Sequence, residues 1–367
     1  MNFALIFIII LFSFFLYPHK GGKNKVLVFL LLLCITLIIS IRDIKVPDTD
    51  GYIESYLYDA DIFNFANSKY EKGYTIFMRF SRLFLGDFYI AYFALFPVIN
   101  FCLLSKSCNN ICGKFLKETT SYDGNRSSIY NPFILFISYF SFFGLYHNAI
   151  VLRAGIATSL VMLSMSFLIR HKSRYDIFKS LTALIIAFFF HSSTLVCIPL
   201  LYIAYKGFNY NMERNRVWLI VILLVYIISP VLDIVMNPLN QVFLLISNSE
   251  NTDFSKFECY NNTSTYSNTG ISFKFLFFYS AAWLFSTCKN TNLVWKKLLY
   301  SYLLGLLLWA IFRTVLWVER VTDFYTFLYV FMSMILVKQN INRITTRIVF
   351  FMSSVVQLFF IYRIIHS

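Results

Sequence analysis

Apolar runs long enough to cross a lipid bilayer recur from one end of this chain to the other, and this pattern restricts its fold more than any other feature. A transmembrane helix needs about 20 predominantly apolar residues. The 367 residues are 58% hydrophobic and only 14% charged, whereas a soluble domain carries roughly 25% charged residues. A soluble fold and a disordered chain are therefore excluded. The sequence predicts an all-α, polytopic integral membrane protein with about 11–13 transmembrane helices.

The apolar segments predict a single transmembrane helical domain over residues 1–367, with two longer outward-facing loops at 42–72 and 236–270. Segment 73–86 carries two arginines and predicts either an interfacial helix or the beginning of the third span. The predicted spans are residues 2–17, 25–41, 84–104, 131–146, 154–169, 177–190, 193–205, 217–235, 272–288, 298–316, 321–337 and 348–362.

Lysine and arginine are concentrated in alternate connections between these spans. Six connections hold 20 of the 32 basic residues but only four of the 18 acidic residues. By the positive-inside rule these connections face the cytoplasm, so loops 42–72 and 236–270 face the outside. The net charge of +14 then needs no nucleic-acid partner, because the basic residues lie in small groups at helix ends. The basic connections are residues 18–25, 105–130, 170–179, 206–216, 289–297 and 338–347.

The seven cysteines are scattered along the chain and include no CxxC pair. This spacing argues against a disulfide framework and against a structural zinc site. The sequence also contains no glycine-rich phosphate-binding loop and no nucleotide motif. It therefore predicts neither a metal ion nor a cofactor.

Loop 42–72 holds seven carboxylates. Most such clusters are solvated loops, but a carboxylate held at a membrane surface also serves as a general base. Asp48, Asp50 and Glu71 are the best placed for that role, and the sequence does not choose among them. Three tyrosines in this loop or just after it offer flat faces suited to stacking on sugars, namely Tyr52, Tyr56 and Tyr74.

A second group of candidates consists of cationic or titratable residues on the same predicted membrane face. Arg153 begins a span that is rich in small residues, which let helices approach closely. An arginine in this position favours anion binding because its planar guanidinium forms bidentate hydrogen bonds, although a simple interfacial anchor is the alternative. Asp323 follows Arg320 by three positions, which predicts an ion pair on one helix face. The group that predicts one outward-facing site is Arg42, Arg153, His191 and Arg320.

Five segments in this order resemble the EpsG family of bacterial exopolysaccharide proteins, which are related in role to Wzy-type O-antigen and capsule polymerases. The segments are IRDIKVPDTDGYIESY, YEKGYTIF, LRAGIATSL, FFFHSSTLVCIP and ERVTDFYTFLYVF. The resemblance covers the chain from about Arg42 to Phe331, and Pro47 replaces the family's usual glycine. The matching residues are Asp48, Thr49 and Tyr52 in Asp-Thr-x-x-Tyr, Glu71 and Gly73 in Glu-x-Gly, Arg153, Gly155 and Ala157 in Arg-x-Gly-x-Ala, and His191 and Ser193 in His-x-Ser.

The resemblance implies a membrane glycosyltransferase of O-antigen, lipopolysaccharide or exopolysaccharide biosynthesis. Such a polymerase transfers a growing glycan from undecaprenyl pyrophosphate to a sugar hydroxyl of the next lipid-linked repeat unit. The reaction takes place on the periplasmic side of the bacterial inner membrane. The implied partners are the undecaprenyl-pyrophosphate-linked oligosaccharide, membrane lipid and a protein that regulates chain length. No nucleic-acid partner is expected, given the distribution of basic residues described above.

The same resemblance suggests a role for each candidate residue. Arg153 and Arg320 would bind the pyrophosphate, with Arg42 as a third candidate. Asp48 or Glu71 would activate the acceptor hydroxyl. His191 would hydrogen-bond the substrate or share the role of base, and Tyr52 would contribute to substrate binding.

Other functions fit the same residues. A flippase for lipid-linked oligosaccharides is one alternative, but a transporter places ionisable groups near the bilayer midplane, whereas these candidates lie at one edge. An O-antigen ligase uses the same donor chemistry, so the residues do not exclude it. An acyltransferase with a histidine base is the third alternative.

Overall fold

The all-α class predicted from the sequence is confirmed, because the regular elements of the described chain are helices and none of these residues forms a strand. The predicted span 2–17 and the outward loop 236–270 lie outside the described residues, and the total number of spans stays a prediction. The computed structural model of the protein describes residues 25–43, 46–58, 70–119, 131–171, 173–207, 216–229, 272–287, 292–313, 318–338 and 343–366.

Several of the described helices suit a bilayer, as expected of a polytopic membrane protein. Four segments in the described part of the chain are long and apolar enough to cross a membrane, and shorter apolar helices accompany them. Large apolar side chains on these helices are exposed, which suits contact with lipid. The four longer segments are Tyr89–Phe115, Leu152–Arg170, Leu293–Ile311 and Val318–Val337.

The first of two compact units comprises Met1–Phe208, Asn292–Leu298 and Tyr329–Ser367. Its centre is helix α6, which packs against α4, α7 and α8. The alanine, glycine and serine residues of α6 permit this close packing, and most of its residues are buried. The helices up to residue 206 are α1 (Lys25–Ser40), α2 (Thr49–Tyr58), α3 (Lys72–Leu85), α4 (Tyr89–Thr119), α5 (Pro132–Phe140), α6 (Leu152–Arg170), α7 (Arg174–Phe190) and α8 (Ile198–Lys206).

Segment 73–86, left open by the sequence, forms a helix of its own. Helix α3 ends at Gly86, whose φ of 58° favours glycine, and α4 begins three residues later at Tyr89. The segment is therefore not the beginning of the third span. Its inward face carries Tyr74, Met78 and Arg79, whereas its apolar outward face consists of Ile76, Phe80, Leu83 and Phe84.

The two ends of α6 carry different ion pairs. Arg153 is the second residue of the helix and Arg170 is the last, so the two ends are about 26 Å apart along the axis. Arg170 pairs with Asp176 at the start of α7 and also donates a hydrogen bond to Asn110 Oδ1 at 3.2 Å. No ionisable side chain lies between the two arginines in α6.

The second unit comprises Asn209–Thr291 and Leu299–Leu328. Its buried ion pair joins Lys274 Nζ to Asp323 Oδ1 at 2.7 Å. The sequence predicted that Asp323 could pair with Arg320 on its own helix, which stays a prediction; the structure shows that its carboxylate pairs with a lysine from another helix. The remaining helices of the chain are α9 (Arg216–Ser229), α10 (Phe273–Thr287), α11 (Leu293–Ile311), α12 (Val318–Thr326), α13 (Leu328–Lys338) and α14 (Arg343–His366).

Candidate functional site

Three of the predicted site residues meet in the first unit. Glu71 immediately precedes α3, Arg153 lies in the first turn of α6, and His191 directly follows α7. One carboxylate oxygen of Glu71 pairs with Arg153 Nη1, and the other lies 3.1 Å from His191 Nδ1. All three side chains are partly exposed, at 20%, 23% and 26% respectively. They therefore form one polar cluster that a ligand can reach.

Gly73 explains how Glu71 reaches His191. A Cβ atom added to Gly73 would lie 2.7 Å from both the Cβ and the carbonyl oxygen of Phe189. The absence of a side chain thus lets α3 touch the end of α7. Glu71 lies two residues before this crossing and His191 lies two residues after it, so the close approach brings their side chains together.

A second glycine holds the start of α6 in place. A π-helical turn, Tyr146–Ile150, precedes α6, and π-helical turns occur frequently at functional sites. A Cβ atom added to Gly155 would lie 2.6 Å from the carbonyl oxygen of His147 in this turn. Because Gly155 follows Arg153 by two residues, this contact fixes the position of the first turn of α6, from which the Arg153 guanidinium reaches the cluster.

Tyr52 supports Arg153 from α2. Arg153 Nε lies 3.5 Å from the Tyr52 hydroxyl oxygen, and burial raises the pKa of Tyr52 despite the nearby positive charge. Its ring is only 1% exposed and packs against Tyr70 and Tyr74, with centroids 5.3 and 5.6 Å away. The ring faces are thus covered by other tyrosines, and the hydroxyl is the part of Tyr52 that contacts the site.

Arg42 lies on the other side of Tyr52, with its guanidinium carbon 6.0 Å from the ring centroid. The side chain is 7% exposed and lies 3.5 Å from the ring centroid of Phe93. Nη1 donates to the carbonyl oxygen of Ala149 at 2.8 Å, whereas Nε and Nη2 have no hydrogen-bond partner within the described residues. Burial lowers the pKa of Arg42 from its ordinary value to about 10, so the group stays charged at neutral pH.

The three candidate carboxylates differ in their surroundings. Asp48 and Asp50 are exposed at the start of α2, whereas Glu71 is occupied by two partners. Burial alone would raise the pKa of Glu71, but the hydrogen bond from His191 and the charge of Arg153 outweigh it and lower the pKa from 4.5 to about 2. The stability that this lowered pKa provides is present above pH 4.5 and is lost as the pH falls toward 2.

A comparison with protein families places these contacts in context. The family model described as the EpsG family matches residues 25–367. The chain belongs to the EpsG family. This is a family of Wzy-type polysaccharide polymerase-like proteins, and the resemblance predicted from five short segments is confirmed. No curated protein and no solved structure matches the chain.

The motif pieces that carry the EpsG resemblance fit together physically. The glutamate, arginine and histidine of three pieces form the ion-pair cluster, and the glycines of two of them make the close contacts that position it. Arg320 belongs to the second unit, where its side chain is exposed on α12. Its predicted role in substrate binding stays a prediction, as do the roles of the other site residues.

Two aromatic residues of the EpsG-family site were missed from the sequence. The Arg153 guanidinium carbon lies 4.8 Å from the ring centroid of Tyr70, and that of Arg42 lies close to Phe93. Tyr70 could have been found from the sequence, because it is adjacent to Glu71 in a stretch rich in tyrosine. Nothing in the sequence distinguishes Phe93 from the other phenylalanines, of which the chain has 43 in total.

The described residues contain no group of three or more histidine, cysteine, aspartate or glutamate side chains that could hold a metal ion. The EpsG cluster itself consists of one acid, one histidine and one arginine, and Arg42 lies on the other side of Tyr52. These side chains suit an anionic ligand better than a metal cation, because arginine cannot be deprotonated to act as a metal ligand.

The backbone of Asp48 leads to a prediction on stability. Its φ of 62° lies in the left-handed region, which asparagine and glycine tolerate and β-branched residues avoid. We expect Asp48→Val to lower the free energy of unfolding by about 1–2 kcal/mol, and Asp48→Asn and Asp48→Gly to keep the fold. Thermal unfolding in one detergent measures the difference. Asp50→Val, two residues along, is the control, and an equal loss there would contradict the backbone explanation.

Proposed function

We propose that this EpsG-family protein is a polysaccharide polymerase of the bacterial inner membrane. It transfers a growing glycan from undecaprenyl pyrophosphate to a sugar hydroxyl of the next lipid-linked repeat unit. The observation that carries the proposal is Arg42, a buried cation with unpartnered N–H groups in the described chain, which Tyr52 connects to the cluster of Glu71, Arg153 and His191.

The charges of this site support an anionic substrate. Glu71 neutralises one guanidinium, and Asp48 is exposed, so the buried part of the site retains a positive charge on Arg42. A buried charge is costly unless it is paired, and a phosphate or pyrophosphate would supply the missing acceptors. Arginine suits such groups because two parallel N–H donors fit two oxygens.

The proposed reaction divides between two kinds of residue. The bond between the anomeric carbon of the glycan and the pyrophosphate oxygen breaks, and a bond from that carbon to the acceptor oxygen forms. Arg42 and Arg153 would stabilise the negative charge that develops on the departing pyrophosphate. Asp48, Glu71 or His191 would take the proton of the attacking hydroxyl. No cofactor is needed for this exchange of bonds.

The distribution of charge along α6 favours an enzyme over a flippase. A transporter places its ionisable groups near the midplane, where both sides reach them. In α6 the ionisable residues are Arg153 and Arg170 at opposite ends. Arg170 belongs to the basic connection 170–179, which by the positive-inside rule is cytoplasmic. The cluster around Arg153 would therefore face the periplasm, where lipid-linked units and a chain-length regulator would meet it.

A reconstituted reaction tests the proposal. Purified protein in lipid vesicles is supplied with the undecaprenyl-pyrophosphate-linked repeat unit alone. We expect a ladder of glycans that differ by one repeat unit, together with release of undecaprenyl pyrophosphate in proportion to the bonds formed. Heat-inactivated protein in the same vesicles is the control.

Other results would identify the alternative functions. Movement of the intact unit between leaflets without elongation would indicate a flippase. Transfer only to an added lipid A core would indicate a ligase, and a product labile to mild base would indicate acyl transfer. Each of these results would contradict the polymerase proposal.

A further inference from the structure

The carboxylate of Glu71 is already engaged on both oxygens. Oε2 pairs with Arg153 and Oε1 contacts His191 Nδ1 at 3.1 Å. A proton acceptor needs an oxygen that faces the substrate hydroxyl in a pose of hydrogen-bond length. Glu71 could present one only by giving up a partner. This arrangement separates Glu71 from the role of base and leaves it as a candidate for holding its neighbours.

The ionisation of Glu71 points the same way. The two partners hold the pKa of its carboxyl group at about 2, far below neutral pH, whereas an efficient general base has a pKa near the working pH. The carboxylate therefore carries no proton, and Nδ1 of His191 must donate the hydrogen bond between them. In a neutral imidazole with its proton on Nδ1, the lone pair lies on Nε2.

The position of His191 would let the lone pair on Nε2 accept a proton from a substrate. It follows the last residue of α7 in extended conformation, and its side chain is 26% exposed. Glu71 fixes one edge of the ring through Nδ1. No hydrogen bond to the opposite edge, which carries Nε2, is present among the residues that the structure describes, so this nitrogen would be available to a substrate hydroxyl held by the neighbouring arginines.

We infer that Glu71 is a positioning residue that orients His191 and Arg153, and that His191 Nε2 accepts the proton of the attacking sugar hydroxyl. This inference rests on the proposed polymerase function and selects one acceptor from the candidates. The hydroxyl oxygen bonds to the anomeric carbon, its proton passes to Nε2, and undecaprenyl pyrophosphate leaves with the electron pair of the broken bond. The imidazolium that forms is stabilised by the carboxylate behind it.

Glu71→Gln tests this arrangement because glutamine has one acceptor and one donor end. Arg153 has only donors, so it takes the amide oxygen, and the amide N–H₂ group then faces Nδ1 of His191. Nδ1 must now accept, which moves the imidazole proton to Nε2 and removes the base. We expect kcat to fall by about 10²- to 10⁴-fold, with a much smaller change in KM for the lipid-linked unit.

Asp176→Asn is the matched control, since Asp176 pairs with Arg170 at the other end of α6, about 26 Å from the cluster. It loses the same charge and we expect kcat near that of the wild type. Nitrogen-15 spectra of labelled histidine, with His191 assigned by His191→Gln, give a second readout. We expect protonated Nδ1 in the wild type and protonated Nε2 in Glu71→Gln.

Rescue by a small molecule separates chemistry from folding. His191→Ala should lose polymerisation to the same extent as His191→Gln, and added imidazole should restore part of the rate because the site is open to solvent. The inference would be overturned if Glu71→Gln and Asp176→Asn lowered kcat equally. It would also be overturned if Nδ1 were unprotonated in the wild type, or if Asp48→Asn alone abolished turnover while His191→Ala retained it.

The two proposals fail in different ways. If the wild-type protein makes no ladder from lipid-linked units, the polymerase function is wrong, whatever the histidine spectra show. If the wild type makes the ladder but Nε2 carries the proton or imidazole gives no rescue, the function stands and the assignment of His191 is wrong.

Discussion

Arg153→Ala is expected to abolish long glycan chains while the protein remains in the membrane. The substitution removes the guanidinium that would stabilise charge on the departing pyrophosphate, and the loss of one such donor lowers kcat by about 10²- to 10³-fold. Arg153→Lys keeps the charge but loses the planar fork, so we expect an intermediate rate. Chain-length distribution on a gel and initial rates in vesicles measure the effect.

Arg170→Ala is the control for this experiment. Arg170 lies on the same helix and also pairs with a carboxylate, Asp176, but at the opposite end. If loss of an ion pair from α6 were the cause, both variants would lose activity together. We expect only Arg153→Ala to do so. An unchanged ladder from Arg153→Ala would show that this arginine has no part in the reaction.

Gly155→Ala and Gly73→Ala are expected to destabilise the fold of the first unit. The new methyl group would lie 2.6 Å from the carbonyl oxygen of His147 in the first case and 2.7 Å from that of Phe189 in the second. Backbone atoms cannot rotate away, so helices must move apart. We expect each variant to lose about 1–3 kcal/mol of stability, measured as unfolding in a denaturing detergent.

Gly113→Ala provides the opposite result on α4, because nothing lies within 4 Å of its added Cβ atom. We expect Gly113→Ala to raise the free energy of unfolding by about 0.5–1 kcal/mol, because alanine is favoured over glycine inside a helix. The crossing at Gly73 also sets the contact of Glu71 with His191, so Gly73→Ala should lose turnover even where it folds. Stability equal to the wild type in both clashing variants would mean that these crossings are looser than described.

The sequence predicts much of this architecture because membrane spans and charge bias are local properties. Apolar runs identify helices such as α6 and α7, and the close approach expected behind Arg153 occurs at Gly155. The ion pair of Asp323 with Lys274 could not be predicted, since the two residues are distant in sequence. A rule based on spacing along one helix has no information about a neighbouring helix.

The choice among the acidic candidates was beyond the sequence for a related reason. Asp48, Asp50 and Glu71 lie in one predicted loop, 42–72, and carry the same functional group. What distinguishes Glu71 is contact with residues 82 and 120 positions later in the chain. Those contacts depend on where α6 and α7 pack, which no local pattern encodes.

Nε and Nη2 of Arg42 have no hydrogen-bond partner among the described residues, so the proposed binding of an anion there would change the stability of the protein. A charged group that is buried without a full set of hydrogen-bond acceptors lowers the stability of the ligand-free protein. An anion that completes those hydrogen bonds would restore the lost stability. The stability of the ligand-free protein and its affinity for the anion would then depend on Arg42 in opposite ways. Replacing Arg42 by a well-packed apolar residue would raise the stability of the ligand-free protein and lower its affinity for the anion. The same trade-off occurs when strained or unsatisfied functional sites are engineered for stability.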